Sequence, residues 1–124
     1  MTLSRQNFEA LGHPVGPYTH AVRHADTVYT SGFTAFGTKA QRSGAGEQTD
    51  AILEQLAFIA TQFDRTLADL IKVTVFVTDA SDIPAIRDVL QSGYGAEVPA
   101  SSLVMVSGLF APELRVEIEA VFGL

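Results

Sequence analysis

The chain contains no cysteine, and it has only 8 lysine and arginine residues against 14 aspartate and glutamate residues. Without cysteine it cannot form disulfides, use a thiolate nucleophile or bind a metal through sulfur. This composition is typical of a cytoplasmic protein, and we expect that location. The net charge of −6 repels nucleic acid at long range. Nucleic acid is therefore not an expected partner.

Long apolar runs are also missing from the sequence. No stretch approaches the roughly 20 residues that a bilayer-spanning helix needs, so we expect no membrane partner. The polar segment from Met1 to Asn7 does not resemble a signal peptide. At 124 residues and 47% hydrophobic content, the chain can bury a core of its own. We therefore predict a single domain over residues 1–124.

The sequence does contain a regular succession of strand and helix patterns. Each predicted helix connects two predicted strands, and right-handed crossovers of this kind place both helices on one side of a sheet. We therefore predict an α+β fold with a single mixed β-sheet and two helices on one face. The predicted elements are strands at 2–8, 19–23 and 27–33, a helix at 47–64, a strand at 70–78, a helix from the turn at 79–82 to about 94, and strands at about 102–109 and 115–122.

The C-terminal stretch, residues 98–122, is predicted to be two strands joined by a short turn. The first of these strands is apolar on both faces, so both of its sides should be covered by protein. The second strand alternates, with Val116 and Ile118 on one face and Glu117 and Glu119 on the other. We therefore expect a hairpin from which two carboxylates project. Alternation alone explains these carboxylates equally well as part of a solvent-exposed outer face.

The second face of the predicted sheet has no helix to cover it. Apolar side chains must occupy part of this face, and the candidates are Phe76, Leu103, Met105, and Val28 or Tyr29. An uncovered apolar face on a small protein predicts self-association. Self-association would half-bury Glu117 and raise its pKa by desolvation.

Other candidate motifs favour ordinary structural roles. His20 and His24 are four residues apart on a predicted strand, about 13 Å, which is too far to share a zinc ion. His13 precedes a proline in a loop, and structural or solvent-exposed roles are favoured for all three histidines. Segment 37–46 contains three glycines but lacks the residue order of a phosphate-binding loop, so we predict a plain mobile loop. No metal site is predicted.

Several short motifs occur in order along the chain: Gly16-Pro-Tyr18, Thr30-Ser-Gly32, Lys72-Val-Thr-Val-Phe-Val77, Pro99-Ala100 and Val116-Glu-Ile-Glu-Ala120. Together they resemble the Rid family, which includes RidA and YjgF and is also called L-PSP endoribonuclease-like. The resemblance covers nearly the whole chain. It implies a chorismate-mutase-like fold and a homotrimer whose sheets form a central barrel, with three clefts between subunits. Such a trimer would cover the second sheet face.

In the active RidA proteins, these clefts hydrolyse reactive enamines and imines to keto acids and ammonia without a cofactor. The resemblance implies that Glu117 helps to place the attacking water and that Tyr18, Ser31 and Gly32 line the cleft. The arginine that binds the substrate carboxylate in the family corresponds to Ser101 here. A serine cannot replace the charge of a guanidinium that holds a carboxylate by two hydrogen bonds. We therefore expect the standard 2-imino acid deaminase activity to be lost, as in Rid subgroups that lack this arginine.

Two more cleft positions depart from the family pattern. A cysteine that is often found there corresponds to Leu103, and an asparagine on the second helix corresponds to Arg87. Arg87 is the best candidate for a substitute cation, although a solvent-facing position on the helix is favoured over this role. Arg115 has little weight as a substitute, because the family commonly has a basic residue there.

Three functional interpretations follow from the resemblance. The first is a cofactor-free imine or enamine hydrolase of altered specificity, and the second is a non-catalytic trimer that binds or senses a small metabolite. The third is an endoribonuclease, which the negative charge disfavours because phosphate affinity should be weak. The expected partners are a small-molecule metabolite and further copies of the chain.

Overall fold

The structure is a computed structural model that describes residues 2–124. Its strands and helices confirm the predicted order, including the leading strand, with bounds that differ by a few residues. Single-turn 3-10 helices precede β2, β4 and α2 at Glu9–Leu11, Leu67–Asp69 and Ala80–Asp82. The main elements are β1 (Leu3–Gln6), β2 (Ala21–His24), β3 (Thr27–Thr30), α1 (Ala45–Thr61), β4 (Leu70–Val77), α2 (Ile83–Tyr94), β5 (Ala100–Met105) and β6 (Val116–Gly123).

The six strands form one mixed sheet in the order β1-β2-β3-β6-β4-β5. Only the β4–β5 pair is parallel among the described strands. Helix α1 connects β3 to β4, and α2 connects β4 to β5. Both helices cover the same face, because Ile52 and Leu56 of α1 and Ile86 of α2 join one buried core with Val73 and Val75 of β4. The predicted α+β fold is thus confirmed.

The apolar stripe of α1 explains why this helix forms and how it lies. Ile52, Leu56 and Ile59 follow the helical period and are completely buried. The helix starts after Gly44, whose N–H donates to the Glu47 carboxylate 3.0 Å away. This carboxylate also lies in the first turn, where the helix dipole favours negative charge. Neither helix within residues 2–124 combines the length and the apolar character that a membrane span requires.

The two helices approach each other closely at Gly93 of α2. A Cβ atom at this position would lie 2.5 Å from Cδ1 of Leu53 on α1, which is closer than any real contact. Leu53 is itself buried in the core. The glycine therefore lets the two helices share one face of the sheet.

The predicted C-terminal hairpin is wrong, because β5 and β6 are not neighbours. Strand β4 lies between them, and Val75 pairs with Leu103 on one side and Ile118 on the other. Ten residues separate β5 from β6, which is longer than a hairpin turn and sufficient to cross the end of β4. The alternate valines of β4 are fully buried under the helices. This burial favours a position for β4 between two other strands.

The expectation that both sides of β5 are covered is not met within one chain. β5 forms an edge of the sheet, and Ser101, Ser102, Val104 and Met105 are all exposed. Only Leu103 is partly buried against the core. β5 is exposed because an edge strand has a neighbouring strand on one side only. Among its side chains, the helix-side core contacts Leu103.

The face away from the helices, called the open face below, is partly apolar. Side chains of directly paired residues point to the same side of a sheet. The pairing therefore confirms Phe76 and Tyr29 on the open face and excludes Val28, Leu103 and Met105, which pair with residues of the helix side. The open face includes Tyr29, Lys72, Thr74, Phe76, Ala100, Ser102, Val104, Glu117, Glu119 and Val121.

Candidate functional site

A one-residue bulge interrupts the pairing of β3 with β6. Tyr29 pairs with Val121 and Phe33 pairs with Ile118, so β3 advances four residues while β6 advances three. The extra residue lies in the Thr30-Ser31-Gly32 segment. Such bulges bend one strand and redirect side chains beside functional sites. Here the bulge brings the backbone of Gly32 over the side of the sheet that carries Glu117.

Local hydrogen bonds hold the bulge in place. The Thr30 hydroxyl accepts from the Ala120 N–H at 3.0 Å, where the regular ladder is broken. The Ser31 N–H donates to the His20 carbonyl at 3.0 Å, and the Ser31 hydroxyl donates to the Thr19 carbonyl. Ser31 therefore ties the bulge to the segment before β2, and its hydroxyl is already occupied.

Glu117 lies directly against Gly32. A Cβ atom at residue 32 would lie 2.6 Å from Oε2 of Glu117 and 3.1 Å from its Cγ, so only glycine leaves room for this carboxylate. The carboxylate is half-buried and accepts no hydrogen bond from residues 2–124. Desolvation, followed by the nearby charge of Glu119, raises the pKa of Glu117.

The backbone of Gly32 is free to bind a ligand. Neither its N–H nor its carbonyl has a hydrogen-bond partner within the part of the chain that the structure describes. A small cavity of about 70 Å³ adjoins this residue. Tyr18 also lines the cavity, and its hydroxyl accepts from the Val15 N–H at 3.3 Å. The structure thus brings Tyr18, Ser31, Gly32 and Glu117 into one region.

Ser101 and Leu103 do not reach Glu117 within one chain. Ser101 pairs with Val73, whereas Glu117 pairs with Phe76, so the two residues are two strands and three positions apart. Strand geometry puts about 14 Å between their Cα atoms. Ser101 and Leu103 also belong to the helix side of the sheet, opposite to Glu117. Their assignment to the site stays a prediction that depends on a second subunit.

The two candidate arginines also lie away from Glu117. Arg87 is exposed on α2, and α2 covers the opposite face of the sheet. Arg115 forms an ion pair with Asp82 at 2.8 Å, and this contact contributes to raising the pKa of the guanidinium. Within one chain, neither side chain supplies a cation beside the Glu117 carboxylate.

Residues 9–122 match the family model described as Endoribonuclease L-PSP. The chain belongs to this family. The resemblance to Rid, RidA and YjgF proteins is therefore confirmed. A 2-iminobutanoate/2-iminopropanoate deaminase from Dermatophagoides farinae is 30% identical over 111 residues, which cover 87% of this chain and 86% of that protein. The UK114 protein of Drosophila melanogaster, named as a RutC family protein, is 33% identical over 111 residues, covering 87% of this chain and 80% of that protein.

Solved structures of the L-PSP family have the same fold. RidA from an Antarctic Psychrobacter superposes with a TM-score of 0.83 at 30% identity, covering 90% of this chain and 92% of that chain. A member of the YjgF/YER057c/UK114 family from Mycobacterium tuberculosis superposes with a TM-score of 0.82 at 29% identity, covering 99% and 100%. The mixed sheet with two helices on one face is thus the fold of this family.

Two buried polar residues near these elements, Gln48 and His20, were not among the predicted site residues. Gln48, completely buried on α1, donates to the carbonyls of Gln41, Ser43 and Glu113 and accepts from the Arg115 N–H at 2.8 Å. It anchors segment 37–44, a series of turns before α1, to the start of β6. Its position four residues before Ile52, on the apolar stripe, was the available signal.

His20 is the second of these residues and is only 3% exposed. Its Nδ1 accepts from the Phe8 N–H at 2.9 Å, and its ring stacks on that of Phe8. Burial lowers the pKa of this imidazole. The expected structural role of His20 agrees with these contacts, and residues 2–124 contain no group of acidic residues and histidines that could hold a metal ion.

A larger surface depression of this L-PSP family member lies elsewhere, on the helix side. It has a volume of about 1220 Å³ and lies between the segment before α1 and the two helices. Its charged residues, Lys39, Glu47, Asp50, Glu54 and Asp88, are all exposed. Water screens such charges strongly, so the half-buried Glu117 is the better candidate for chemistry.

Proposed function

We propose that the protein is a cofactor-free hydrolase of imines or enamines, with Glu117 placing the attacking water. The observation that carries this proposal is the Glu117 carboxylate, half-buried and held against the free backbone of Gly32. The relative from Dermatophagoides farinae, named as an imine deaminase, supports the reaction class. The absence of cysteine supports a cytoplasmic location.

The proposed chemistry uses one carboxylate as a proton carrier. Glu117 accepts a proton from water as the water oxygen attacks the C=N carbon, and it returns that proton to the nitrogen, which gives a carbinolamine. Glu117 then transfers the hydroxyl proton of the carbinolamine to the nitrogen, the C–N bond breaks as the C=O bond forms, and ammonia or an amine leaves. A general base works best when its pKa is close to the working pH, and desolvation shifts the pKa of Glu117 in that direction. Water and this carboxylate are sufficient, so no cofactor is proposed. The free N–H of Gly32 is positioned to donate to the substrate.

Substrate choice differs from that of the 2-imino acid deaminases in this proposal. A serine at position 101 offers at most one neutral hydrogen bond to a substrate carboxylate. Hydrogen bonds to charged groups contribute about 1.5–3 kcal/mol, which corresponds to roughly tenfold or more in affinity. The favoured substrate therefore lacks the usual α-carboxylate or presents it elsewhere.

Assembly into a homotrimer through the open face is part of the same proposal. Tyr29 and Val104 are 49% and 40% exposed on that face, with Phe76 and Val121 partly exposed between them. Burying such a patch against other copies would stabilise the assembly. A cleft between subunits would also give Ser101 and Leu103 a route to a Glu117 that they do not reach within their own chain.

The test is ammonia release from 2-aminoacrylate generated in the assay, compared with imines that lack a carboxylate. We expect slow turnover of 2-aminoacrylate, faster turnover of at least one neutral imine, and loss of both in Glu117→Gln. Ser101→Arg should increase turnover of 2-aminoacrylate. Glu54→Gln, which removes an exposed carboxylate on α1, is the matched control. Activity that is insensitive to Glu117→Gln would contradict the proposal.

A non-catalytic trimer that binds a small metabolite is the second candidate, and the serine at position 101 favours it. This candidate predicts a bound small molecule and no turnover of any imine by pure protein. Ribonuclease activity is not proposed, because the net charge of −6 disfavours phosphate binding.

A further inference from the structure

The small cavity beside Gly32 contains polar groups that the proposed hydrolysis does not use. Its volume of about 70 Å³ is room for about two water molecules at roughly 30 Å³ each, or for a substituent of similar size. Aromatic and apolar side chains surround it, and Phe36 and Phe110 contact each other at its edge with ring centroids 5.1 Å apart. The cavity is partly open, since Phe36 and Phe110 at its edge are 42% and 60% exposed.

His20 provides a hydrogen-bond donor in this cavity. Because Nδ1 accepts from the Phe8 N–H, the neutral ring carries its proton on Nε2. Nε2 has no partner among residues 2–124, although the side chain is 97% buried, being 3% exposed. Nε2 is not fully enclosed, because the one fully enclosed side-chain polar atom without a partner in that range is Tyr94 Oη. His20 is among the residues that line the cavity.

Gln55 provides an acceptor in the same cavity. Its amide nitrogen donates to the carbonyls of Thr34 at 2.9 Å and Ala51 at 3.1 Å, which fixes the orientation of the amide. Its Oε1 is left without a donor among the described residues. The cavity therefore offers one N–H donor from the residue that precedes β2 and one carbonyl acceptor from α1.

We propose that this cavity is a subsite for a small neutral group that both accepts and donates a hydrogen bond, such as a primary carboxamide, on the substrate. Its carbonyl oxygen accepts from His20 Nε2, and its N–H donates to Gln55 Oε1. The subsite rests on the proposed function, because Gly32, which lines the cavity, also lies against the Glu117 carboxylate. It names the substrate class: imines or enamines anchored by a neutral polar group.

A carboxylate is a poor occupant of the same cavity. The residues that line it include no lysine or arginine, and its two histidines, His13 and His20, supply no permanent charge. A carboxylate that enters this cavity loses part of its hydration without gaining a counter-ion. A neutral amide makes both of its hydrogen bonds at a smaller desolvation cost. The subsite therefore agrees with the missing cation at position 101 without depending on it.

Acetamide and acetate, two molecules of nearly equal shape, test the subsite directly. Each is titrated at pH 7 into the full chain while the imidazole nitrogens are followed by ¹⁵N NMR. We expect acetamide to shift His20 Nε2 in a saturable manner and acetate to bind at least about tenfold more weakly. The resonances of His24, which is exposed at the end of β2, should not respond. Equal binding of both molecules, or no response of His20 to either, overturns the proposal.

His20→Asn separates the binding role from the structural one. Its side-chain oxygen can take the position of Nδ1 and accept from the Phe8 N–H, while the Nε2 donor is lost. We expect acetamide affinity to fall by about three- to tenfold, the effect of one neutral hydrogen bond. His24→Asn should leave the affinity unchanged. If His20→Asn fails to fold, the titration of the unmodified protein decides alone.

Failure of the subsite and failure of the proposed hydrolysis are distinguishable. Acetamide binding is measured without turnover, so it can succeed in a protein that hydrolyses no imine. Turnover of an imine by a protein whose His20 ignores acetamide would reject the subsite and leave the role of Glu117 intact.

Discussion

The carboxylate of Glu117 and the backbone of Gly32 occupy adjoining space, with 2.6 Å between Oε2 and the place where a Cβ atom of residue 32 would be. Gly32 owes this position to the bulge in β3, and Glu117 owes its direction to the alternation of β6. The two features come from distant parts of the sequence. Four testable predictions follow from this contact and from the elements that surround it.

Gly32→Ala should displace the Glu117 carboxylate. The new methyl group would overlap Oε2 and crowd Cγ, and the side chain would have to rotate towards solvent. We expect a loss of about 1–2 kcal/mol in the free energy of unfolding, and a fall of the Glu117 pKa towards its ordinary value as desolvation is relieved. Chemical denaturation and ¹³C NMR titration of the carboxyl group measure these two quantities. Gly108→Ala is the matched control, because no atom lies within 4 Å of a Cβ there.

Glu117→Gln should stabilise the protein at neutral pH. The folded state raises the pKa of Glu117, so the folded state favours the protonated form, and the stability linked to this group is lost as pH rises through that pKa. A glutamine is neutral at every pH, so the variant does not lose this stability as the pH rises. We expect the variant to have the larger free energy of unfolding at pH 7 and the difference to vanish near pH 4. Urea denaturation at both pH values, with Glu54→Gln as the control, would reveal the opposite sign if the carboxylate were stabilising.

Gln48→Ala should destabilise the protein strongly. The substitution removes the partner of three carbonyls and of the Arg115 N–H in a completely buried place. Buried groups left without partners cost about 1–3 kcal/mol each, although partial relaxation reduces their sum, so we expect a loss of about 3–5 kcal/mol. Gln62→Ala, at the exposed end of α1, should stay within about 0.5 kcal/mol. Thermal unfolding that treats the two variants alike would show that Gln48 does not anchor the loop.

Val104→Glu should weaken self-association through the open face. The side chain is 40% exposed on the edge strand β5, and a glutamate would place a charge in the proposed contact. We expect sedimentation velocity to show a trimer for the original protein and mostly monomer for the variant at micromolar concentration. Ala85→Glu, on the exposed side of α2, should leave the trimer intact. A monomeric original protein would rule out the assembly itself.

Periodicity predicted the faces of the elements better than it predicted their neighbours. The sequence correctly predicted the alternation in β6 and the apolar stripe of α1, because burial on one side gives a periodic pattern of apolar residues. Which strands are neighbours in the sheet gives no such pattern. β5 and β6 follow each other in the chain, yet β4 separates them, and this error also placed Leu103 and Met105 on the wrong face.

The site was only partly predictable for the same physical reason. The resemblance identified Glu117 and Gly32, but the contact between them depends on a bulge whose register is fixed by pairing at Phe33, far from Glu117 in sequence. The free Nε2 of His20 depends on a hydrogen bond from Phe8, twelve residues away. Whether Ser101 joins the site depends on a second subunit, which no single chain can supply.

The bulge of β3 has a consequence for how this protein can change over evolutionary time. The place of Gly32 above Glu117 is set by a difference in residue count between two strands, four against three, and not by the chemistry of the intervening side chains. Point substitutions around this contact can therefore occur while the carboxylate and the backbone keep their relative positions. Deleting one residue between Tyr29 and Phe33 would instead restore a regular ladder and separate Gly32 from Glu117 in a single step.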